Sequence, residues 1–332
     1  MKKRYAAAIN EALHEEMERD PRVVLFGEDV EASMFGDTAG LLDRFGRDRV
    51  KNTPISEQAL AGMTVGMAAS GYRPVLHLMF GNFVYTAMDA IGNQMARIRL
   101  MTGGQMELPL TVIAVYGGGR SSAAQHSDAP HPVLMNIGGI NVLMPTSPAD
   151  AKGLLKTAVR DNNPCFFLEA GGRGGEMGEV PDGEHLVPLG SASILREGRD
   201  VTLVSIGTTM RHTRPAVDSL VADGIDVELI DPRTVVPLDY ASIIESVRKT
   251  GHLVVMDEAR DACSAASQIC AVIAGQAFSA LKAGPLRITV PDVSLPYAPV
   301  AERSLIPNPD RIERQVRALL GRAPKQQART GT

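Results

Sequence analysis

The 332-residue sequence contains no tryptophan and only three cysteines, Cys165, Cys263 and Cys270. An odd cysteine count without a C-x-x-C pair argues against a disulfide framework or a zinc site, and predicts a reducing, cytoplasmic setting. No apolar run approaches the ~18 residues of a membrane span, and the run after the basic start MKKR is too short for a signal peptide. The net charge of −4 gives no reason to expect nucleic acid or an anionic membrane as a partner.

Several motifs of common enzyme classes are also missing. There is no G-x-G-x-x-G after the first predicted strand and no G-x-x-x-x-G-K-[ST], so dinucleotide and P-loop classes lose support. The absence of H-E-x-x-H and G-x-S-x-G argues against zinc proteases and α/β-hydrolases. The stretch GDTAG (36–40) resembles a metal–diphosphate loop only superficially, because no suitable helix and no further oxygen ligands follow it.

Short apolar segments alternate with amphipathic segments along most of the chain. The predicted strands are 22–27, 73–79, 108–116, 140–145, 164–169, 201–207, 225–231, 251–258 and 286–292. The predicted helices are 4–19, 58–70, 83–101, 148–161, 211–223, 239–249 and 262–280. Continuous apolar strands separated by helices indicate parallel sheets covered on both faces. We therefore predict two α/β domains, 1–180 and 190–322, joined by a glycine-rich linker within 170–190 and followed by a disordered tail, 323–332.

Three polar features stand out against this background. Glu57 follows a short apolar stretch, and it either complements a helix N-terminus or is held for a ligand. His126 lies in a long loop of small residues, where a histidine can act as an acid–base group. Asp161 and Asn163 close a helix before Pro164, which fits either a helix C-terminal turn or a cation site built from oxygens.

The order and spacing of these features resemble the β subunit of the E1 component of 2-oxo acid dehydrogenase complexes, of the pyruvate, branched-chain 2-oxo acid or acetoin type. The resemblance covers residues 1 to about 322. It is carried by LFGEDV (25–30), TPISEQALAGMTVGMAASGYRPV (53–75), AAQHSD (123–128), VLMPTSPADAKGLLKTAVRDNNP (142–164), IDPRTVVPLD (230–239) and PDVSLPYAP (291–299). It implies two doubly wound α/β domains, a thiamine-diphosphate pyrimidine-binding domain and a transketolase C-terminal-like domain.

The resemblance also implies roles for particular residues. Glu57 would hydrogen-bond N1′ of the aminopyrimidine of thiamine diphosphate and promote the tautomer that takes the proton from thiazolium C2. Ile55, Met79 and Phe83 match positions that line the pyrimidine. His126 matches an active-site histidine near C2 that transfers protons or binds the substrate carboxylate.

A potassium site is implied as well. The match carries to Leu110, Ala158 and Asp161, with Val159 and Asn163 alongside. A K⁺ ion bound there would be structural and would hold the strand and the helix end near the active site.

The family's motif for Mg²⁺ and diphosphate, G-D-G-x(n)-N-N, does not occur in this sequence. In the family this motif belongs to the α subunit. The resemblance therefore implies that thiamine diphosphate is shared with an E1 α-type subunit in an α2β2 heterotetramer, and that Mg²⁺ is bound mainly by the α-type subunit. The expected oxidoreductase would act on a 2-oxo acid and acylate a lipoyl-bearing E2 acyltransferase. One alternative is a two-component thiamine-dependent carboligase or decarboxylase of a specialised pathway. The other is a non-catalytic assembly subunit, and the presence of Glu57 and His126 argues against that second alternative.

The sequence departs from the family near the expected substrate entrance. Ile113 and Val115 stand where R-x-P is usual, and APHPVLMNIGG (129–139) replaces an aromatic-rich stretch. AGGRGG (170–175) replaces the usual tyrosine, and His131 is an additional histidine with no assigned role. These departures leave the identities of the 2-oxo acid and of the acceptor open.

Overall fold

The computed structural model describes residues 1–323, in two compact units. The first unit contains Met1–Ala192, Pro232–Asp239 and Ser294–Glu302. The second contains Ser193–Asp231, Tyr240–Val293 and the described residues from Arg303 onward. Two later stretches of chain therefore return to the first unit. Residues 324–332 of the predicted tail lie outside the described residues.

The strands within residues 1–323 are short. They are β1 (Lys2–Arg4), β2 (Val23–Gly27), β3 (Val50–Asn52), β4 (Arg73–Phe80), β5 (Thr111–Tyr116), β6 (Asn141–Leu143), β7 (Cys165–Ala170), β8 (Met177–Glu179), β9 (Ser193–Arg196), β10 (Val201–Ser205), β11 (Val227–Asp231), β12 (Thr234–Val236), β13 (Leu253–Arg260) and β14 (Leu286–Val290). The α-helices are α1 (Tyr5–Arg19), α2 (Leu41–Phe45), α3 (Glu57–Ala69), α4 (Ile98–Met101), α5 (His131–Met135), α6 (Pro148–Arg160), α7 (Met210–Ala222), α8 (Tyr240–Thr250), α9 (Ala265–Gln276), α10 (Pro299–Leu305) and α11 (Pro309–Leu319).

The first unit is built on a seven-stranded sheet in the order β12–β6–β7–β5–β4–β2–β3. All neighbours are parallel except β12, which pairs antiparallel with β6. Strands β2, β5 and β7 are buried along their whole length, as expected for a parallel sheet covered on both faces. A separate antiparallel ribbon joins β1 to β8.

The second unit has a five-stranded sheet in the order β14–β13–β10–β11–β9. Strand β9 pairs antiparallel with β11, and the other neighbours are parallel. Apolar side chains from β10, β11 and β13 form a buried core with those of α7 and α11. The predicted parallel α/β architecture is thus confirmed in both units.

Two segments that were given a specific interpretation differ from it, and the structure also contains elements that were not predicted: β1, β3, β9, β12, α2, α5, α10 and α11. The helix predicted at 83–101 is divided into a 3₁₀-helix (Gly81–Ala87), a π-helix (Ala90–Met95) and α4. Apolar periodicity over so few residues does not distinguish these helix types. The glycine-rich stretch 170–190, interpreted as a linker, contributes β8, because a strand of three residues is too short to show a period.

Among the described residues, no helix combines the length and the apolar character that crossing a membrane requires.

Candidate active site

The predicted catalytic and pyrimidine-lining residues of the first unit lie where its parallel strands end. Glu57 is the first residue of α3, shortly after β3, and its side chain is partly exposed. Strand β4 ends at Phe80, and β5 ends at Tyr116, from which the chain enters the loop that contains His126. The carboxyl ends of parallel strands share one edge of a sheet, which is where ligands bind in open α/β sheets.

Glu57 has a carboxyl neighbour that the sequence analysis did not single out. Glu28 directly follows β2, and burial raises the pKa of its carboxyl group. The charges of Glu57 and Asp29 raise this pKa further, whereas His77 lowers it. A negative charge nearby favours the protonated form of a carboxyl group. The sequence feature that could have identified Glu28 is its acidic side chain directly after a predicted strand.

The end of β4 is bent at Met79. Met79 has a φ of +58°, and the pairing of β4 with β5 changes register between His77 and Phe80. Met79 itself is 7% exposed, so its side chain is packed rather than free in solvent. The bend lies within the segment that precedes Phe83.

Three rings meet beyond this bend. The rings of Phe80 and His126 are edge to face, with centroids 4.7 Å apart. Phe83 contacts both of them edge to face, at 5.7 Å from Phe80 and 5.6 Å from His126. The structure therefore brings His126 and Phe83 together. Helix α3, which Glu57 begins, packs against the 3₁₀-helix that carries Phe83.

Ile55 stands apart from this cluster. Its side chain is 78% exposed, although Ile55 lies only two residues before Glu57. Among the described residues it is not enclosed, so a role in lining the pyrimidine would require a further surface.

The loop after β5 is anchored by a residue from far along the chain. Glu302 is 1% exposed, and its two carboxylate oxygens accept hydrogen bonds from the backbone N–H groups of Gly119 at 2.8 Å and Ser121 at 2.9 Å. Ser121 and Ala123 both have a positive φ, which side chains other than glycine rarely adopt. The loop that presents His126 is thus held in a strained conformation by a buried carboxylate.

Further bonds fix the His126 end of the loop. The side-chain amide of Asn82 donates to the carbonyl of Ala124 at 3.1 Å and accepts from the N–H of Asp128 at 3.0 Å. Arg120 donates from Nη2 to the carbonyl of His126 at 3.1 Å. A permanent positive charge therefore lies beside the candidate catalytic histidine.

The predicted cation-site residues gather around the end of α6 and the beginning of β7. They are Leu110, Ala158, Val159, Asp161 and Asn163. Arg73 donates from Nη1 to the carbonyls of Val159 and Asp161, both at 3.0 Å. Arg99 donates from Nη1 to Oδ1 of Asn163 at 2.7 Å. Two guanidinium groups thus already contact oxygens of this set.

A buried polar cluster lies beneath the aromatic cluster. Asp37, His77 and Glu169 are each at most 3% exposed, and one ligand atom of each lies within 4.8 Å of the others. Burial raises the pKa of Glu169 well above its usual value, the charge of Asp37 raises it further, and Arg120 lowers it. The folded protein therefore favours the uncharged form of the Glu169 carboxyl group. Sequence analysis had not connected these three residues.

Three of the residues noted as departures, Ile113, Val115 and His131, are interior. Ile113 and Val115 lie in β5, with exposures of 0% and 3%. His131 begins α5, and its buried ring contacts the ring of Tyr116 with centroids 6.3 Å apart.

Comparison with known proteins agrees with this architecture. The transketolase pyrimidine-binding domain matches residues 1–172, and the transketolase C-terminal domain matches residues 190–312. A solved structure described as a split gene transketolase, inactive beta4 tetramer, has a TM-score of 0.78 and covers 96% of this chain and 98% of its own, at 23% identity. The chain is therefore a transketolase-like protein with a pyrimidine-binding and a C-terminal domain.

Relatives of nearly the same length define the family more narrowly. Two are acetoin:2,6-dichlorophenolindophenol oxidoreductase beta subunits, from Bacillus subtilis (40% identity; 95% of this chain and 96% of the relative) and Cupriavidus necator (42%; 92% and 94%). The pyruvate dehydrogenase E1 component subunit beta of Bacillus subtilis is 40% identical over 91% of this chain and 93% of the relative. The chain belongs to this family of dehydrogenase E1 beta subunits.

Proposed function

We propose that the chain is the beta subunit of a thiamine-diphosphate-dependent E1 component that decarboxylates a 2-oxo acid and transfers the acyl group to a lipoyl carrier. The observation that carries this proposal is the position of Glu57, beside Glu28 and at the same sheet edge as the cluster of Phe83 and His126. When bound, thiamine diphosphate supplies the electron sink for breaking a bond next to a carbonyl group.

The residues at this edge fit the pyrimidine end of that cofactor. Glu57 can hydrogen-bond a ring nitrogen, and Glu28, whose pKa is raised by burial and by the charge of Glu57, adds a second carboxyl group at this place. Met79 and Phe83 offer apolar surface to the ring. His126 can hold or move a proton close to the substrate, and Arg120 beside it suits a substrate that bears a carboxylate.

The other half of the site is assigned to an E1 α-type subunit, which would bind the diphosphate and Mg²⁺ in an α2β2 heterotetramer. The exposed face of α3 supports a second chain at this place, since it presents Ala59, Gly62, Met63 and Gly66. A Cβ added to Gly62 or Gly66 would meet nothing within 4 Å, so this chain's own packing does not require glycine. Glycine in a helix interior costs ~1 kcal/mol relative to alanine. Close approach of a partner at this face and at exposed Ile55 would account for that cost.

Potassium at Leu110, Ala158 and Asp161, with Val159 and Asn163 alongside, stays a prediction. Each carbonyl has a second lone pair with which it could bind the ion. Arg73, however, already brings a positive charge to the carbonyls of Val159 and Asp161, and it would repel a bound cation. We therefore expect any K⁺ site here to be weak.

A second candidate function is cleavage of acetoin with transfer to a different acceptor, as the names of the two acetoin:2,6-dichlorophenolindophenol oxidoreductase relatives suggest. Acetoin has no carboxylate. Comparing pyruvate, branched-chain 2-oxo acids and acetoin in one dye-reduction assay separates the two candidates. Adding a lipoyl domain then tests whether an E2 acyltransferase is the natural acceptor.

The test of the proposal is Glu57→Gln in the complex reconstituted with the α-type subunit. We expect turnover to fall by at least ~10²-fold, because the variant cannot hold a proton at the pyrimidine nitrogen. Glu179→Gln is the matched control, since the Glu179 side chain is 70% exposed and lies on β8. The chain alone should bind thiamine diphosphate weakly in titration calorimetry. Near-normal turnover of Glu57→Gln would disprove the assignment.

A further inference from the structure

The bend in β4 requires an explanation, because Met79 has a Cβ atom and still adopts a left-handed φ of +58°. Residues other than glycine keep such a conformation only where the surrounding contacts determine it. The strand also changes register against β5 between His77 and Phe80, so the bend separates the regular part of β4 from the aromatic cluster.

The contact that fixes the bend is a buried histidine. The backbone N–H of Met79 donates to Nδ1 of His77 at 3.1 Å. Because Nδ1 accepts, the proton of the neutral imidazole is on Nε2, and that N–H donates to Oδ2 of Asp37 at 3.0 Å. Both side chains are 2% exposed. A carboxylate therefore selects the tautomer that can accept from Met79.

Glu169 completes the cluster, and three donor atoms within 4.8 Å of one another could also suggest a metal site. The tautomer argues against this reading, since an Nε2 atom that carries a proton has no lone pair for a metal. The buried Oε2 atom of Glu169 has no hydrogen-bond partner.

The same histidine is connected to the candidate active site on its other side. The ring of Phe35 stacks on His77, with centroids 5.9 Å apart and planes at 15°, and contacts Phe80 edge to face at 5.6 Å. Phe80 in turn contacts His126.

We propose that Asp37 and His77 are positioning residues: together they fix the bend at Met79 and so place Met79 and Phe83 for the cofactor's pyrimidine. This inference rests on the proposed function. It adds that cofactor affinity depends on two buried residues that do not touch the cofactor.

Two substitutions of His77 separate the hydrogen bonds. In His77→Asn, the shorter amide presents an oxygen near the position of Nδ1 and can still accept from Met79, but it does not reach Asp37. In His77→Gln, the longer amide presents an N–H₂ group near the position of Nε2 and can still donate to Asp37, but Met79 loses its acceptor. Both variants lose the imidazole ring and its stacking on Phe35.

The measurement is the Kd of thiamine diphosphate for the α-containing complex with each variant, together with KM and kcat. We expect His77→Gln to weaken binding about tenfold or more, since a buried N–H is left without an acceptor, and His77→Asn to weaken it less than about threefold. KM for the cofactor should rise in His77→Gln more than kcat falls. Equal cofactor affinity in the two variants would overturn the proposal.

A second measurement does not depend on the cofactor. In ¹⁵N NMR spectra of the wild-type chain, the histidine signal that disappears in His77→Gln should show a protonated Nε2 and an unprotonated Nδ1. An Nδ1–H tautomer would overturn the positioning role. A metal content of one equivalent per wild-type chain, absent from both variants, would overturn it as well. Failure of the proposed function would instead show as a wild-type complex without thiamine-dependent turnover, whatever tautomer His77 has.

Discussion

Removing one oxygen acceptor from Glu302 should release the loop that presents His126. In Glu302→Gln, one side-chain oxygen remains to accept from Gly119 or Ser121, while the other becomes an NH₂ group that faces a backbone N–H. The variant keeps the shape of the side chain, so the change is confined to charge and hydrogen bonding. Glu302 is 1% exposed, and water therefore cannot readily replace the lost acceptor.

The magnitude follows from the two bonds. A hydrogen bond to a charged group contributes ~1.5–3 kcal/mol, and a buried donor without an acceptor costs ~1–3 kcal/mol. We expect opening of the loop to become ~2–3 kcal/mol easier, which corresponds to ~30- to 150-fold faster exchange of the Gly119 and Ser121 amide hydrogens. Turnover of the complex should fall by ~10- to 100-fold, because small displacements of a catalytic group have effects of this size.

The assay combines amide hydrogen exchange, read at Gly119 and Ser121, with steady-state turnover in the reconstituted complex. Glu18→Gln is the control, since the Glu18 side chain is 63% exposed and pairs with Arg44 at the surface. Unchanged exchange at both amides would refute the anchoring role of Glu302. Faster exchange with undiminished turnover would refute the argument that the position of this loop governs the chemistry at His126.

Three further predictions concern the same unit. Because folding raises the pKa of Glu169 above the ordinary value of 4.5, the unfolded chain loses this proton first as pH rises, and the free energy of unfolding should fall above pH ~4.5 by up to ~1.4 kcal/mol per pH unit. Glu169→Gln should reduce that slope in urea unfolding between pH 5 and 8, and an identical slope would contradict the assignment. His126→Ala should slow decarboxylation even with an artificial electron acceptor, because the histidine acts on the substrate before any acyl transfer; a mutant that decarboxylates normally but cannot acylate a lipoyl domain would contradict this role. If K⁺ binds at Ala158 and Asp161, the complex should melt at a higher temperature in potassium than in choline buffer of equal ionic strength, and equal melting temperatures would indicate that Arg73 supplies the positive charge instead.

The elements that sequence analysis predicted well are those with a local signal. Alternating apolar strands and amphipathic helices predicted the parallel sheets, and the start of α3 followed from the residues around Glu57. His126 was identified because a long loop of small residues separates two strands. In each case the informative residues lie within a few positions of one another, so the pattern is visible without the fold.

The missed residues act over long separations in the sequence. Glu302 lies 183 positions from Gly119. Nothing in the sequence around Glu302 indicated that its carboxylate accepts hydrogen bonds from a distant loop. Asp37 and His77 are 40 positions apart, and they meet because the chain after β2, which contains Asp37, returns to the neighbouring strand β4, which contains His77. The left-handed φ of Met79 had no sequence signal either, since methionine is not a residue that adopts it readily.

The distribution of backbone strain bears on whether this chain is a catalytic or only an assembly subunit. Seven described residues other than glycine have a positive φ, and five of them follow or end the strands β2, β4 and β5: Asp29, Ser33, Met79, Ser121 and Ala123. Each such residue costs ~1–3 kcal/mol and persists only when its surroundings determine it. A subunit that served assembly alone would gain nothing from a strained loop around His126 or from a buried His77 that holds Met79. The concentration of strain at the edge where Glu57 and His126 lie therefore favours a chain that takes part in the chemistry.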